Sequence, residues 1–374
     1  MTADSQGQAS SQRQAAESSE QDAAESSEQD ASRDHGTEDE GRDGLCIGVV
    51  LEAFLDWPLE RILTWLPEAA PEVTHLEVGA GGYAPHPHCD VATLLASGQA
   101  RSAWLAAIAG HGLQVDALNA WGNPLHPDQD LAGEHDRALR DAIRLATLLG
   151  VNRVVALAGC PGGAAGDQVP HFGAGGWLPY LEGVYQRQWE EQIAPYWAGL
   201  AEFAAAENPD LRVCLELHPG TCVFNVETFG RVAALGPAIA GNLDPSHFFW
   251  MGMDGHKVAA ALGDRIGHVH GKDTVFHAES LALNGLLDRR WPEPAAEMPW
   301  TFAVPGRGHD LTWWAGLVRA LGGSAARVIS IEHEDPFVPA ATGVPEAARL
   351  LRSAIDAALE IDAALEIGTA LEAG

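Results

Sequence analysis

The sequence predicts a (β/α)8 barrel, a single α/β domain, on three observations. From Leu45 onward, eight short β-rich runs alternate with longer amphipathic stretches. The runs are nearly continuous in apolar residues, as in a parallel sheet covered on both faces. Eight such units in about 320 residues suit a closed barrel better than an open sheet. The doubly wound alternative lacks its signature, because no G-x-G-x-x-G follows the first run.

The strand candidates are LCIGVV (45–50), VTHLEVG (73–79), LQVDALNA (113–120), NRVVALAG (152–159), LRVCLELH (211–218), IAGNLD (239–244), IGHVHG (266–271) and RVISIEHED (327–335). Helical periodicity occupies 90–109, 130–149, 186–206, 225–235, 256–263 and 311–321, with a last helix from about 345. Two connections are long for this fold, the Gly-rich 159–185 and the stretch 274–309 with Trp291, Trp300 and Arg307. Loops of that length form lids, partner contacts or subunit interfaces.

Outside the barrel, read as 45–355, lie two extensions. Residues 1–44 contain the direct repeat AAESSEQD and twelve acids against three arginines, a net of −9. Such a segment cannot bury enough apolar surface to offset its ordering entropy, so a disordered acidic tail is expected. Residues 356–374 repeat DAALEI and prolong the C-terminal helix.

The whole chain carries −30, so −21 remains after the tail. A field of that sign repels polyanions, and no basic stripe offsets it, so nucleic acid is not an expected partner. No apolar run approaches the roughly 20 residues that span a bilayer, and the polar N-terminus is no secretory signal. A cytoplasmic protein without membrane contact is expected. Five scattered cysteines without a C-x-x-C pair read as small core residues.

Chemistry concentrates at strand ends. Four consecutive runs of the second half end in Glu216, Asp244, His270 and Glu332. In a barrel these ends converge on the C-terminal face, where this fold builds its sites. One Glu at a strand end is as a rule a helix cap or an ion-pair partner, but four in register invert that expectation. Three carboxylates desolvated together cost several kcal/mol per ion unless a positive charge compensates. One divalent cation would do so, and carboxylate–imidazole ligands suit Mn²⁺ foremost, with Mg²⁺, Co²⁺ or Zn²⁺ as alternatives.

At these residues the sequence resembles the sugar phosphate isomerase/epimerase superfamily, the xylose isomerase-like TIM barrels. The phrases are E-L-H-P-G (216–220), N-L-D-P-S-H-F-F-W (242–250), G-H-V-H-G-K-D-T (267–274), P-G-R-G-H-D-L-T-W-W (305–314) and S-I-E-H-E-D-P (330–336). The resemblance covers about 45–355. It implies a one-metal site of Glu216, Asp244, His270 and Glu332, with the two glutamates moving protons on opposite substrate faces. It also implies a substrate contact for His247, three residues after the ligand Asp. E-L-H-P-G departs from the ketose 3-epimerase pattern after the first glutamate, so substrate and reaction can differ.

A cation held by a carbonyl and an adjacent hydroxyl acidifies the α C–H bond, and a nearby carboxylate can take that proton. Reprotonation from the other face epimerises, reprotonation at the neighbouring carbon isomerises, and loss of a β-leaving group eliminates. A sugar or polyol isomerase/epimerase is the expected function. A lyase or dehydratase is second, an endonuclease disfavoured by charge, and a non-catalytic sugar-binding barrel the remaining class. A homo-oligomer is expected.

Further candidates surround the four. Lys272, one of only two lysines, either clamps substrate or pairs with Asp273. His218 shares the Glu216 face if the strand continues, which favours contact with substrate or support of the ligand set. Glu77, Asn119, His126 and Arg307 are candidates for substrate hydroxyls. His268 reads as packing or support for His270, His333 as structural, and His86 and His88 as a solvated loop.

Overall fold

The computed structural model describes residues 44–83, 85–172, 179–287 and 294–373. The acidic tail, Gly44 apart, and Trp291 lie outside the described residues.

Among the described residues ten strands are formed: β1 (Cys46–Val50), β2 (Val73–Gly79), β3 (Gln114–Asn119), β4 (Arg153–Leu157), β5 (Arg212–Glu216), β6 (Ile239–Leu243), β7 (Ile266–Gly271), β8 (Asp273–Phe276), β9 (Trp300–Ala303) and β10 (Val328–Ile331). Eight of them close a barrel in the order β1-β10-β7-β6-β5-β4-β3-β2. Every neighbouring pair in it is parallel. All eight barrel strands lie within the runs read from sequence. The remaining two, β8 and β9, pair antiparallel as a separate ribbon, with Asp273 opposite Ala303 and Phe276 opposite Trp300. The sequence reading took both for loop.

Helices cover the outside. α1 (Leu59–Ala69), α2 (Val91–Ala96), α3 (Gly98–Ala109) and α4 (Gln129–Leu149) occupy the first half. α5 (Pro179–Gln188) passes through a π turn at Trp189–Ile193 into α6 (Ala194–Glu207). α7 (Val226–Ala233), α8 (Pro245–Trp250), α9 (Gly255–Leu262), α10 (Ala278–Asn284), α11 (Leu311–Ala320) and α12 (Ala340–Ala373) follow. Local chemistry sets several boundaries. Asp128 accepts from Asp130 N and Leu131 N to start α4, and Gly150 at φ 73° ends it. Asn225 and Thr228 form a capping box on α7. The last helix begins five residues earlier than expected and runs without a break through the DAALEI repeat.

The main core lies between strands and helices, with Trp197 and Trp314 fully buried in it. Truncating such a ring costs about 3–5 kcal/mol. Inside the barrel, Ala117, Val155, Cys214 and Ala240 form a separate cluster of small side chains. Those small residues leave room for polar groups in the lumen. Gly267 belongs to the same crowding, since a Cβ there would meet Cys214 Sγ at 2.7 Å and Ala240 Cβ at 2.9 Å. All five cysteines are free, and four are buried. Among the described residues no helix is long and apolar enough to cross a membrane.

Candidate metal centre

Strand ends bring the four expected ligands together. One ligand atom each from Glu216, Asp244, His270 and Glu332 lies within 4.8 Å of the others, and all four residues are buried. Glu216 closes β5, while Asp244 follows β6 and caps α8, its Oδ1 accepting from Ser246 N at 2.9 Å. His270 sits near the end of β7, and Glu332 follows β10, its N–H donating to Gly271 O at 3.3 Å. Parallel neighbours in register place these ends at one height, with Ser330 opposite His270.

The donor set fits a hard divalent cation. Asp244 Oδ2 and Glu332 Oε2 are buried and accept no hydrogen bond, although each adjoins an ammonium or imidazole. Lone pairs left in that way are available to a cation, and carboxylates with one imidazole are ligands of Mn²⁺, Mg²⁺ or Zn²⁺ chemistry.

Lys272 enters the same cluster. Its Nζ lies 3.0 Å from Asp244 Oδ2, 2.5 Å from Glu332 Oε2 and 2.9 Å from Glu334 Oε2. The alternative of a Lys272–Asp273 pair is not what the fold makes. Asp273 instead accepts from the backbone N–H groups of Thr274, Gly306, Gly308 and His309. Phe302 of β9 lays its ring 4.4 Å from Lys272 Nζ and 5.5 Å from the His247 ring, so the ribbon walls the site.

The acids differ in proton affinity. Burial and then the Glu332 charge push Glu216 up to about 7. Burial also raises Glu332, but Lys272 and His270 outweigh it and hold that carboxyl below the usual range. His247 Nε2 lies 2.9 Å from Glu216 Oε1 and 3.2 Å from Asp244 Oδ2. Burial pushes both His247 and His218 down to about 4. Both rings are therefore neutral hydrogen-bonding groups near pH 7. They meet edge to face at 4.3 Å, and each leaves Nδ1 buried without a partner.

Two expectations need correction. Glu77 is fully buried, and its oxygens engage Asn119, His268 and His270, so no face remains for a substrate hydroxyl. Arg307 is 43% exposed and pairs with Glu346 of α12 at 2.8 Å, away from the four-residue cluster's buried interior. His126, by contrast, accepts from Asp128 N through Nδ1 at 3.0 Å, which leaves its expected role uncontradicted. Of the two loop histidines, His86 is exposed as expected, but His88 is buried against Trp57 O at 2.9 Å. His333 bonds Val338 O at 2.7 Å, a structural contact.

Two acids escaped the sequence reading. Glu334 reaches Lys272, and its position two residues beyond Glu332 was the available signal. Glu52 stands in the 3-10 turn Leu51–Phe54 after β1. Burial, then the charges of Glu77, Glu332 and Glu334, push it up to about 8.

The family follows from comparison. A model of the xylose isomerase-like TIM barrel family matches residues 77–354, and the chain belongs to that family. An uncharacterised protein of Bacillus subtilis (strain 168), YfiH, is 34% identical over 316 residues, covering 83% of this chain and 99% of that one. Among solved structures, the probable 3-DHS dehydratase AsbF from Bacillus anthracis superposes with a TM-score of 0.56 at 16% identity, covering 82% of this chain and 99% of that one. The IolI protein with a bound zinc atom gives 0.54 at 18%, with coverage of 84% and 99%. An L-ribulose 3-epimerase gives 0.54 at 16%, with coverage of 85% and 97%. At these identities the structural likeness establishes the fold.

Proposed function

We propose that the chain is a divalent-metal-dependent isomerase or epimerase acting on a ketose or related polyol. The observation that carries this reading is the convergence of Glu216, Asp244, His270 and Glu332 within 4.8 Å, from four separate strand ends. Bound there, a divalent ion such as Mn²⁺ would polarise a substrate carbonyl and acidify the neighbouring C–H bond. The zinc atom in the IolI structure supports a divalent metal on this fold.

The chain's own groups then divide the proton work. Glu332, held ionised beside Lys272, takes the proton from carbon. Glu216, whose proton affinity burial raises to about 7 in the metal-free fold, exchanges a proton on the opposite face. His247 Nε2, 2.9 Å from Glu216, steadies that proton between deliveries. His218 and His247 present neutral rings to substrate hydroxyls, and Phe302 excludes water.

An unphosphorylated substrate agrees with the state of Lys272, whose ammonium already faces three carboxylates and is not free for a phosphate. Five free cysteines accord with a reducing, cytoplasmic setting. The exposed Leu283 and Leu287 support a homo-oligomer.

Incubation with a panel of ketoses in deuterated water with Mn²⁺ tests the proposal. Deuterium should enter one substrate carbon, and absence of exchange across the panel would sink it. The likeness to AsbF supports a second reading, a lyase, whose mark in the same assay is release of water or another leaving group.

A further inference from the structure

We propose that Glu77 is a positioning residue for His270, fixing which imidazole nitrogen faces the cation site. The proposal rests on the reading above, that the Glu216–Asp244–His270–Glu332 cluster holds a divalent ion.

His270 has different neighbours at its two nitrogens. Nε2 lies 3.2 Å from Glu77 Oε2 and 3.3 Å from Glu77 Oε1, whereas Nδ1 lies 3.1 Å from Glu332 Oε2. Asn242 Nδ2 is 3.2 and 3.3 Å from the two ring nitrogens and so favours neither. A neutral imidazole has one lone pair, and the partner of the protonated nitrogen decides where it sits. A carboxylate at Nε2 keeps the proton there. Nδ1 is left to the ion.

Glu77 can do this because it cannot turn away. Asn119 Nδ2 donates to Oε1 at 2.6 Å, and His268 Nε2 meets Oε2 at 2.7 Å. Support continues down the lumen. His268 Nδ1 lies 3.3 Å from Asp116 Oδ2, within ion-pair reach although off the hydrogen-bond line. Asp116 Oδ1 accepts from Arg153 Nη1 at 2.9 Å. Arg153 is itself tied to Gly267 O at 2.8 Å and Ala325 O at 3.2 Å. A continuous set of polar contacts thus runs from His270 through Glu77, His268 and Asp116 to Arg153 at the start of β4. With both oxygens of Glu77 already engaged by three side chains, the group acts as a buttress and not as a second ion site.

The test uses the full chain as wild type, Glu77→Gln and His268→Gln. Titration calorimetry with Mn²⁺ reads affinity and stoichiometry, and long-range ¹⁵N–¹H spectra of the diamagnetic Zn²⁺ form read the ligating nitrogen. Wild type should bind one Mn²⁺, with His270 ligating through Nδ1 and protonated at Nε2. Glu77→Gln should bind about 10–100-fold more weakly, and its His270 Nε2–H resonance should lose the downfield shift of a carboxylate-bonded proton. His268→Gln, one step removed, should show a smaller loss in the same direction, which keeps the test alive if Glu77→Gln fails to fold. Equal affinity in wild type and both variants, or ligation through Nε2, overturns the positioning role alone. Two ions per chain would put a cation between Glu77, His268 and His270 and overturn the buttress. No Mn²⁺ bound by wild type removes the metal reading, and this proposal with it.

Discussion

Lys272 Nζ lies 2.5 Å from Glu332 Oε2, with both side chains almost wholly buried. An ammonium in that place supplies positive charge where several carboxylates have left water. Burial opposes its protonation, but Asp244, Glu332 and Glu334 outweigh burial and hold the amine well above its usual range. Removing one member of such a buried group leaves the others uncompensated, at about 3–5 kcal/mol. Lys272→Met is therefore expected to lower the unfolding free energy of chelator-treated protein, measured in urea, by that scale. Added Mn²⁺ should narrow the gap, because a divalent ion supplies the missing charge. A variant as stable as wild type in chelator would show that the ammonium does not balance the cluster.

Glu216→Gln and Glu332→Gln keep shape and remove the capacity to exchange a proton. Each should slow deuterium wash-in by about 10²–10⁴-fold, the usual weight of a general acid or base. Circular dichroism should be unchanged. Retention of wild-type exchange by either variant would remove that glutamate from the proton path.

The four candidate ligands were readable because barrel topology turns a one-dimensional regularity into a place. Runs ending in Glu216, Asp244, His270 and Glu332 had to meet if the runs were neighbouring parallel strands, and β5, β6, β7 and β10 are neighbours. Glu77 was misread for the same reason that it matters. Its partners on β7 lie 191 and 193 residues away, across the barrel interior, and a strand pattern tells which face a side chain takes but not what stands opposite. Arg307 was misread because its partner Glu346 belongs to α12, and nothing in the loop sequence points to that helix. The ribbon of β8 and β9 was passed over because two four-residue strands, with 23 residues between them, carry too little pattern to separate from loop.

Asp273 carries a prediction of its own. Its Oδ2 accepts from Gly306 N, Gly308 N and His309 N at 3.0, 3.0 and 2.9 Å, so one carboxylate oxygen shapes the turn after β9. Asp273→Ala would leave those donors without an acceptor, at about 1–3 kcal/mol for each that stays dry. A loss of about 2–4 kcal/mol in unfolding free energy is expected, with faster protease cleavage between 304 and 309. Gly308→Ala should give a similar phenotype, since a Cβ there would lie 2.1 Å from Thr274 O. Unchanged cleavage in both variants would mean that the turn is held by other contacts.

Glu52 gives a pH-dependent prediction. Burial, then the charges of Glu77, Glu332 and Glu334, raise it from an ordinary 4.5 to about 8 in the metal-free fold. Between those values the unfolded chain gives up a proton that the folded chain keeps. The unfolded state therefore binds fewer protons, and this group's contribution to stability falls as pH rises through that window. Glu52→Gln has no proton to lose. It should match wild type near pH 5 and exceed it near pH 8 by on the order of 2–5 kcal/mol. Urea unfolding of both proteins at the two pH values, in chelator, measures the difference. A gap that does not widen with pH would show that Glu52 is solvated and ionises normally. Repeating the measurement with saturating Mn²⁺ should shrink the gap, because added positive charge beside Glu332 and His270 favours the ionised acid.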